Sequence, residues 1–218
     1  EMLGMPEGDT QAPRSWSEDI VKTLDPIITE DEIKAAVVAN RAMDAHIANV
    51  ISWKREHPAD DLLTAMIEAE EDGDRMSSQE LSDQVGLLFI AGHETTVNLI
   101  GTGIAELLGR PDHAQMIRSA ELTMNGVDEL LRFVSPVQMS RRITTQDIEM
   151  QGRTIPTGTM VMAALASANR DPAKWGPTGD ELDLTRDGAG QHLSFGSGIH
   201  YCLGASLAKL EGQVTIGS

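Results

Sequence analysis

The tract from Ser77 to Leu108 limits the fold more than any other part of this chain. Ser77 stands three residues before Glu80, the spacing at which a hydroxyl and a carboxylate cap each other's backbone N–H groups. Helical character then continues until Gly109-Arg110-Pro111 stops it. At about 1.5 Å per residue, such a helix spans roughly 45 Å. Its middle, Leu87-Leu88-Phe89-Ile90-Ala91-Gly92, is apolar on every side, which predicts passage through a core. A chain of 218 residues built round a rod of that length reads as mainly helical.

Helical patterns fill most of the first two thirds. Asp9 to Leu24 reads as a helix halted by Asp25-Pro26. Thr29 and Glu32 form a second capping box. The helix they open carries Ile33, Val37, Ala42, Ile47, Val50 and Ile51 on its apolar side and ends near His57-Pro58. Asp61 to Glu70 is a shorter helix, followed by the loop Asp72-Gly73-Asp74. Asp112 to Arg118 and Met124 to Phe133 are helical as well. After Pro136 the pattern changes. Ile148 to Met150 and Arg153 to Ile155, split by Gln151-Gly152, predict a hairpin. Met160 to Ala168 fits strand or helix, and Asn169 to Gly190 is a turn-rich meander. The fold class is therefore mainly α with a minor β region. No repeat or linker divides the chain, so residues 1–218 read as a single domain. Both ends read as cut: Met2-Leu3-Gly4-Met5-Pro6 resembles the end of a helix, and Thr215 to Ser218 stops inside or just after one.

Composition sets the setting. Hydrophobic residues make up 40%, enough for a packed core, and aromatics only 3%. The formal charge of −17 argues against a nucleic-acid partner, since a phosphate backbone needs a basic surface. No leader is visible, and the longest apolar run, Val85 to Ala91, is too short for a membrane span. A cytoplasmic protein is expected.

Cys202 is the only cysteine. A lone thiol makes no internal disulfide and no four-cysteine metal site, but it can give one thiolate to one metal. It lies in Phe195-Gly196-Ser197-Gly198-Ile199-His200-Tyr201-Cys202-Leu203-Gly204. The glycines allow tight turns and close approach to a flat ligand. Ala205 to Leu210 reads as a helix, which places Cys202 just before a helix N-terminus, where N–H groups and the dipole stabilise a thiolate. A zinc set of His192, His200 and Cys202 lacks the usual spacing. A zinc-protease helix at His93-Glu94 fails because position 97 is Val.

This loop resembles the haem-binding loop of the cytochrome P-450 family, Phe-Gly-x-Gly-x-(His/Arg)-x-Cys-x-Gly, without a departure. Ala91-Gly92-His93-Glu94-Thr95-Thr96 matches a second family pattern, in the long helix above the haem. The resemblance implies haem b with Cys202 as the axial thiolate and metal ligand, and a cradle of Phe195, Gly196, Gly198 and Gly204. It gives Ala91 and Gly92 to the approach of oxygen and substrate. Thr95 would hold oxygen and waters, Glu94 would feed protons, and a local helix bulge would make room. Glu129 and Arg132, three apart, match the family's buried Glu-x-x-Arg pair, with Arg186 joining from the meander. His200 and Arg142 match propionate anchors, Arg141 being the close rival.

The implied activity is a monooxygenase that inserts one atom of O2 into a small apolar substrate, with electrons from a separate ferredoxin or flavoprotein. A peroxide-using relative is an alternative, as is a catalytically inactive haem-binding fragment. Family members run to roughly twice this length. The piece alone is therefore expected to bind haem weakly, turn over little, and leave apolar faces of the long helix exposed.

Overall fold

The computed structural model describes residues 3–4, 11–71, 76–119 and 122–217. The expected Asp72-Gly73-Asp74 loop and the start of the Asp9–Leu24 helix lie outside them. Helix α1 (Gln11–Val21) passes into a 3₁₀ turn at Lys22–Leu24. Asp25 is extended, with ψ 144°, because the ring of Pro26 disfavours helical backbone in the residue before it. Helix α2 (Glu30–Glu56) opens on the expected box: Thr29 N donates to Glu32 Oε2 at 2.8 Å, and Glu32 N donates to Thr29 Oγ1 at 3.3 Å.

The apolar side of α2 is rotated from the one expected. Ala36, Ala39, Met43, Ile47, Val50 and Ile51 are buried, whereas Ile33 and Val37 are 45% and 47% exposed. The buried line keeps helical spacing, and Val37 stands one residue, about 100° of rotation, off it. Two alanines carry that line where larger residues suggested otherwise. Helix α3 (Leu62–Glu71) is capped by Asp61, whose Oδ1 accepts from Thr64 N at 3.0 Å. The other Asp61 oxygen pairs with the buried Lys54 ammonium, which also donates to Gly4 O at 3.1 Å.

Helix α4 (Ser78–Leu108) runs 31 residues from the reciprocal Ser77–Glu80 cap. Its expected passage through a core holds on one side only. Leu81, Val85, Leu99 and Leu107 are buried, while Leu87 and Val97 are 59% and 51% exposed. The helix is unbroken α from Ala91 to Thr96, so the expected bulge is absent. Helix α5 (Pro111–Ser119) starts on a proline, whose missing N–H costs nothing at a first helical position. Helix α6 (Met124–Val134) is capped by Thr123, and its residues from Gly126 to Phe133 are all buried.

Four short strands follow: β1 (Met139–Ile143), β2 (Ile148–Met150), β3 (Arg153–Ile155) and β4 (Met160–Ala164). β2 and β3 form the expected hairpin, and Gln151 and Gly152 both take positive φ, 49° and 75°, as the tight two-residue turn requires. β1, which the sequence did not reveal, pairs antiparallel with β4, Arg142 opposite Val161. Strand β4 gives way directly to α7 (Leu165–Ala168), so the ambiguous Met160–Ala168 segment is both strand and helix. Helix α8 (Pro172–Trp175) lies in the meander, and α9 (Ala205–Gly217) follows the cysteine.

The chain divides into two compact units, residues 1–94 and 95–218. In the first, Met43, Ile47, Val50, Leu63, Leu81 and Val85 form the core. In the second, Leu99, Val127, Leu130, Phe133, Leu184 and Phe195 belong to it. Among the described residues, no helix is long and apolar enough to cross a membrane.

Candidate functional site

The cysteine loop is shaped by two left-handed glycines, Gly196 at φ 71° and Gly198 at φ 72°. They turn the chain so that Cys202 N donates to Phe195 O at 2.9 Å and Tyr201 N donates to Gly198 O at 3.1 Å. Phe195 is buried beneath, and Cys202 is exposed. In the same loop, Ile199 is 97% exposed and Leu203 90%. No atom lies within 4 Å of where a side chain would begin at Gly198 or Gly204. A thiol among open apolar side chains and bare glycines fits a flat apolar group carrying a metal. Ala208 N donates to Gly204 O at 2.9 Å, so α9 opens at Ala205, three residues beyond Cys202, with its positive dipole end toward the cysteine loop. Among the described residues no three His, Cys, Asp or Glu side chains gather as a metal set.

The root of this loop is held by residues that the sequence did not single out. Asn169 is fully buried and all of its amide is used. Its Oδ1 accepts from Leu193 N at 2.7 Å, and its Nδ2 donates to Ser135 Oγ and Ser194 Oγ, each at 2.9 Å. Ser194 Oγ donates in turn to Leu131 O of α6 at 2.7 Å. His192 is buried, and its Nδ1 accepts from Ser194 N at 3.1 Å. The proton therefore sits on Nε2, which faces Asp128 Oδ1 at 3.3 Å. Lys209 Nζ reaches the same oxygen at 2.6 Å. Burial pushes the Asp128 carboxyl up, but the hydrogen bonds from His192 and Lys209 outweigh it and hold the group below the usual carboxylate range.

Glu129, Arg132 and Arg186 are brought together as expected. Glu129 and Arg132 are fully buried. Arg132 Nε donates to Glu129 Oε2 at 2.7 Å and Nη2 to Oε1 at 2.8 Å. The remaining N–H groups go to the carbonyls of Asn169 and Gly179, each at 2.6 Å, and Glu181 at 2.7 Å. Arg186 Nε and Asp183 N both donate to Glu129 Oε1, at 3.1 and 2.9 Å. The pair thus fastens the meander to α6, and the side chain of Asn169, whose carbonyl Arg132 holds, leads on to the cysteine loop.

On α4, Ala91 and Gly92 are exposed, and no atom lies within 4 Å of where a Gly92 side chain would begin. Glu94 Oε1 is buried with no hydrogen-bond partner among the described residues. A buried, unmatched acceptor is costly unless a guest satisfies it, which marks Glu94 as a polar site. Ala91, Gly92 and Glu94 belong to the first unit, and Thr95 and the cysteine loop to the second. His200 ends a 3₁₀ turn, Gly198–His200, and is exposed. Arg142 is exposed on β1 and donates to Ser140 Oγ at 2.6 Å and Arg141 O at 2.7 Å. Successive strand residues face opposite sides, so only one of Arg141 and Arg142 can serve a given anion.

Comparison with known proteins bears on this arrangement. The family model described as Cytochrome P450 matches residues 17–218. The vitamin D(3) 25-hydroxylase of Pseudonocardia autotrophica is 45% identical over 220 residues, covering all of this chain and 52% of the relative. The crystal structure of Mycobacterium smegmatis CYP164A2 with econazole bound superposes with a TM-score of 0.92 at 32% identity, over 99% of this chain and 55% of that one. That of P450BioI, in complex with hexadec-9Z-enoic acid ligated acyl carrier protein, gives 0.89 at 35% identity, over 99% and 55%. The chain spans about half the length of the curated relatives it matches.

Proposed function

The chain belongs to the cytochrome P450 family, and we propose that it carries the thiolate loop and oxygen-side helix of a haem b monooxygenase acting on a small apolar substrate. The observation that carries this reading is Cys202, the one thiol, exposed on a glycine-turned loop among apolar side chains. Family members hold haem b through a cysteine thiolate. When bound, the haem supplies cleavage of O2, so that RH, O2, two electrons and two protons give ROH and water.

The chain's own residues set the conditions for that chemistry. Cys202, just before the N-terminus of α9, would hold the haem through its sulfur. Phe195, Gly196, Gly198 and Gly204 keep the loop flat enough to lie against a macrocycle. His200 and Arg142, or Arg141 in its place, would hold the propionate carboxylates. Ala91 and Gly92 leave α4 bare where small molecules approach. Glu94, with its Oε1 buried, would feed protons, and the Thr95 hydroxyl would hold oxygen and waters by hydrogen bonds. Glu129, Arg132 and Arg186 act at a distance, fixing the meander from which the cysteine loop departs.

The partners follow from this reading. Electrons come from a separate ferredoxin or flavoprotein, and the overall charge of −17 requires a local attraction to receive an acidic carrier. An apolar substrate is supported by the relatives, one named for a vitamin D(3) hydroxylation and another solved with a fatty acyl chain. The adjacent Glu94 and Thr95 favour the O2 route over a peroxide-using one. The exposed Leu87 and Val97 of α4 support a further reading, that these 218 residues alone bind haem weakly and turn over little.

The test is a reduced carbon monoxide difference spectrum of the complete gene product and its Cys202→Ser variant. The wild type is expected to show the band shifted by thiolate ligation and the variant to lose it. A variant that keeps its pigment, its band and its hydroxylating activity overturns the proposal.

A further inference from the structure

His192 and Lys209 flank the cysteine loop in sequence, one before Phe195 and one on α9. A single oxygen of Asp128, on α6, accepts from both, at 3.3 and 2.6 Å. Both donors also lie against Phe195: the His192 ring centroid is 5.4 Å from that of Phe195, and Lys209 Nζ is 5.8 Å from it. Phe195 in turn accepts the Cys202 N–H through its carbonyl. The carboxylate therefore joins the two ends of the loop through donors that lie against the ring of Phe195, the residue whose carbonyl Cys202 is tied to. The other Asp128 oxygen is close to Gly190, where an added Cβ would stand 3.1 Å from it, so the group has little room to swing.

We propose that Asp128 is a positioning residue for Cys202, closing the base of its loop by holding His192 and Lys209 against Phe195. This rests on the loop being the thiolate loop only for its importance, since the closure itself is a matter of the chain's own bonds. One oxygen accepting two donors is what distinguishes the arrangement from an ordinary ion pair. Asparagine keeps that oxygen, alanine removes it, and neither substitution touches the loop's own sequence.

Hydrogen exchange at the Cys202 amide, in the complete haem-loaded protein, reads the closure directly. In Asp128→Ala, exchange of that amide is expected to quicken about tenfold or more, with core amides of α6 such as Leu130 little changed, because a local opening is released rather than global unfolding. In Asp128→Asn it is expected to stay within about threefold of wild type, because the acceptor oxygen is retained. Wild-type protection at Cys202 in the alanine variant overturns the proposal. So does an equal rise at every amide, or an asparagine variant that behaves like alanine. Should the alanine variant not fold, Lys209→Met removes one donor and is expected to give a smaller rise confined to the loop; no rise there overturns the proposal equally. Exchange reports the loop whether or not the sulfur holds iron, so its failure leaves the Cys202→Ser spectral test standing, and the reverse.

Discussion

Replacing Arg132 tests the buried joint of the second unit. A guanidinium has five N–H donors, and here each meets an acceptor between 2.6 and 2.8 Å: two on Glu129 and one each on Asn169, Gly179 and Glu181. An exposed pair at the same spacing contributes a few tenths of a kcal/mol. Removing one member of a fully buried pair costs about 3–5 kcal/mol, because the other charge is stranded. Arg132→Met is therefore expected to lose about 3–5 kcal/mol, a large part of the roughly 5–15 kcal/mol that holds a domain together. Arg132→Lys has three donors for five acceptors, and two acceptors left unpaired at about 1–3 kcal/mol each predict a loss of roughly 2–6 kcal/mol. The double variant Glu129→Leu/Arg132→Met separates the joint from a simple ion pair. A pair on its own is often replaceable by apolar residues without loss. Here three backbone carbonyls and Arg186 would still lose their partners, so the double variant should remain at least about 2 kcal/mol below wild type. Urea unfolding of the complete protein measures this, with Trp175, 5.1 Å from the Arg132 guanidinium, as a local fluorescence reporter. A double variant as stable as wild type, or a lysine variant without loss, refutes the reasoning.

Acid should loosen both units. At Asp61, burial pushes the carboxyl up, but hydrogen bonds from Lys54 and Thr64 outweigh it, and Asp128 behaves likewise with His192 and Lys209, so both folded values lie below the usual range. Their contribution is present above the unfolded value of about 3.9 and is lost as pH falls through the lower folded values. Asp61→Asn and Asp128→Asn should flatten the loss of stability below about pH 4, and acid curves parallel to wild type contradict this. A Cβ at Gly179 would come within 2.7 Å of Arg170 O and 3.1 Å of Trp175 Cβ, so Gly179→Ala must shift either the Arg170 carbonyl or the Gly179 backbone, whose own carbonyl Arg132 holds. A loss of about 1–3 kcal/mol is expected, read as a fall of roughly 3–10 °C in Tm, and an unchanged Tm refutes it.

What could be read from the sequence was what is decided locally. The caps at Thr29 and Ser77 require only residues three apart, and both helices start where those pairs stand. The Gln151-Gly152 turn fixes its hairpin in the same way. Glu129, Arg132 and Arg186 were recognisable only through a family pattern, since spacing alone describes an ordinary surface pair. The errors came where distant partners decide. Ile33 and Val37 are as apolar as Ile47, but the neighbours of α2 meet the alanine line instead. Met139-Ser140-Arg141-Arg142-Ile143 has no alternation of its own and becomes a strand through β4. Asp128, His192 and Asn169 carry no motif, because their partners lie tens of residues away.

Three of the five acceptors around Arg132 are main-chain oxygens. Peptide carbonyls are common to every amino acid, so the side chains at positions 169 and 181 can be exchanged without removing this fastening, provided the backbone keeps its path. The acid and the guanidinium have no such substitutes. The joint therefore confines its chemical demands to α6 and Arg186, and leaves the side chains at those two meander sites to be chosen by other needs, as Asn169 is by the cysteine loop.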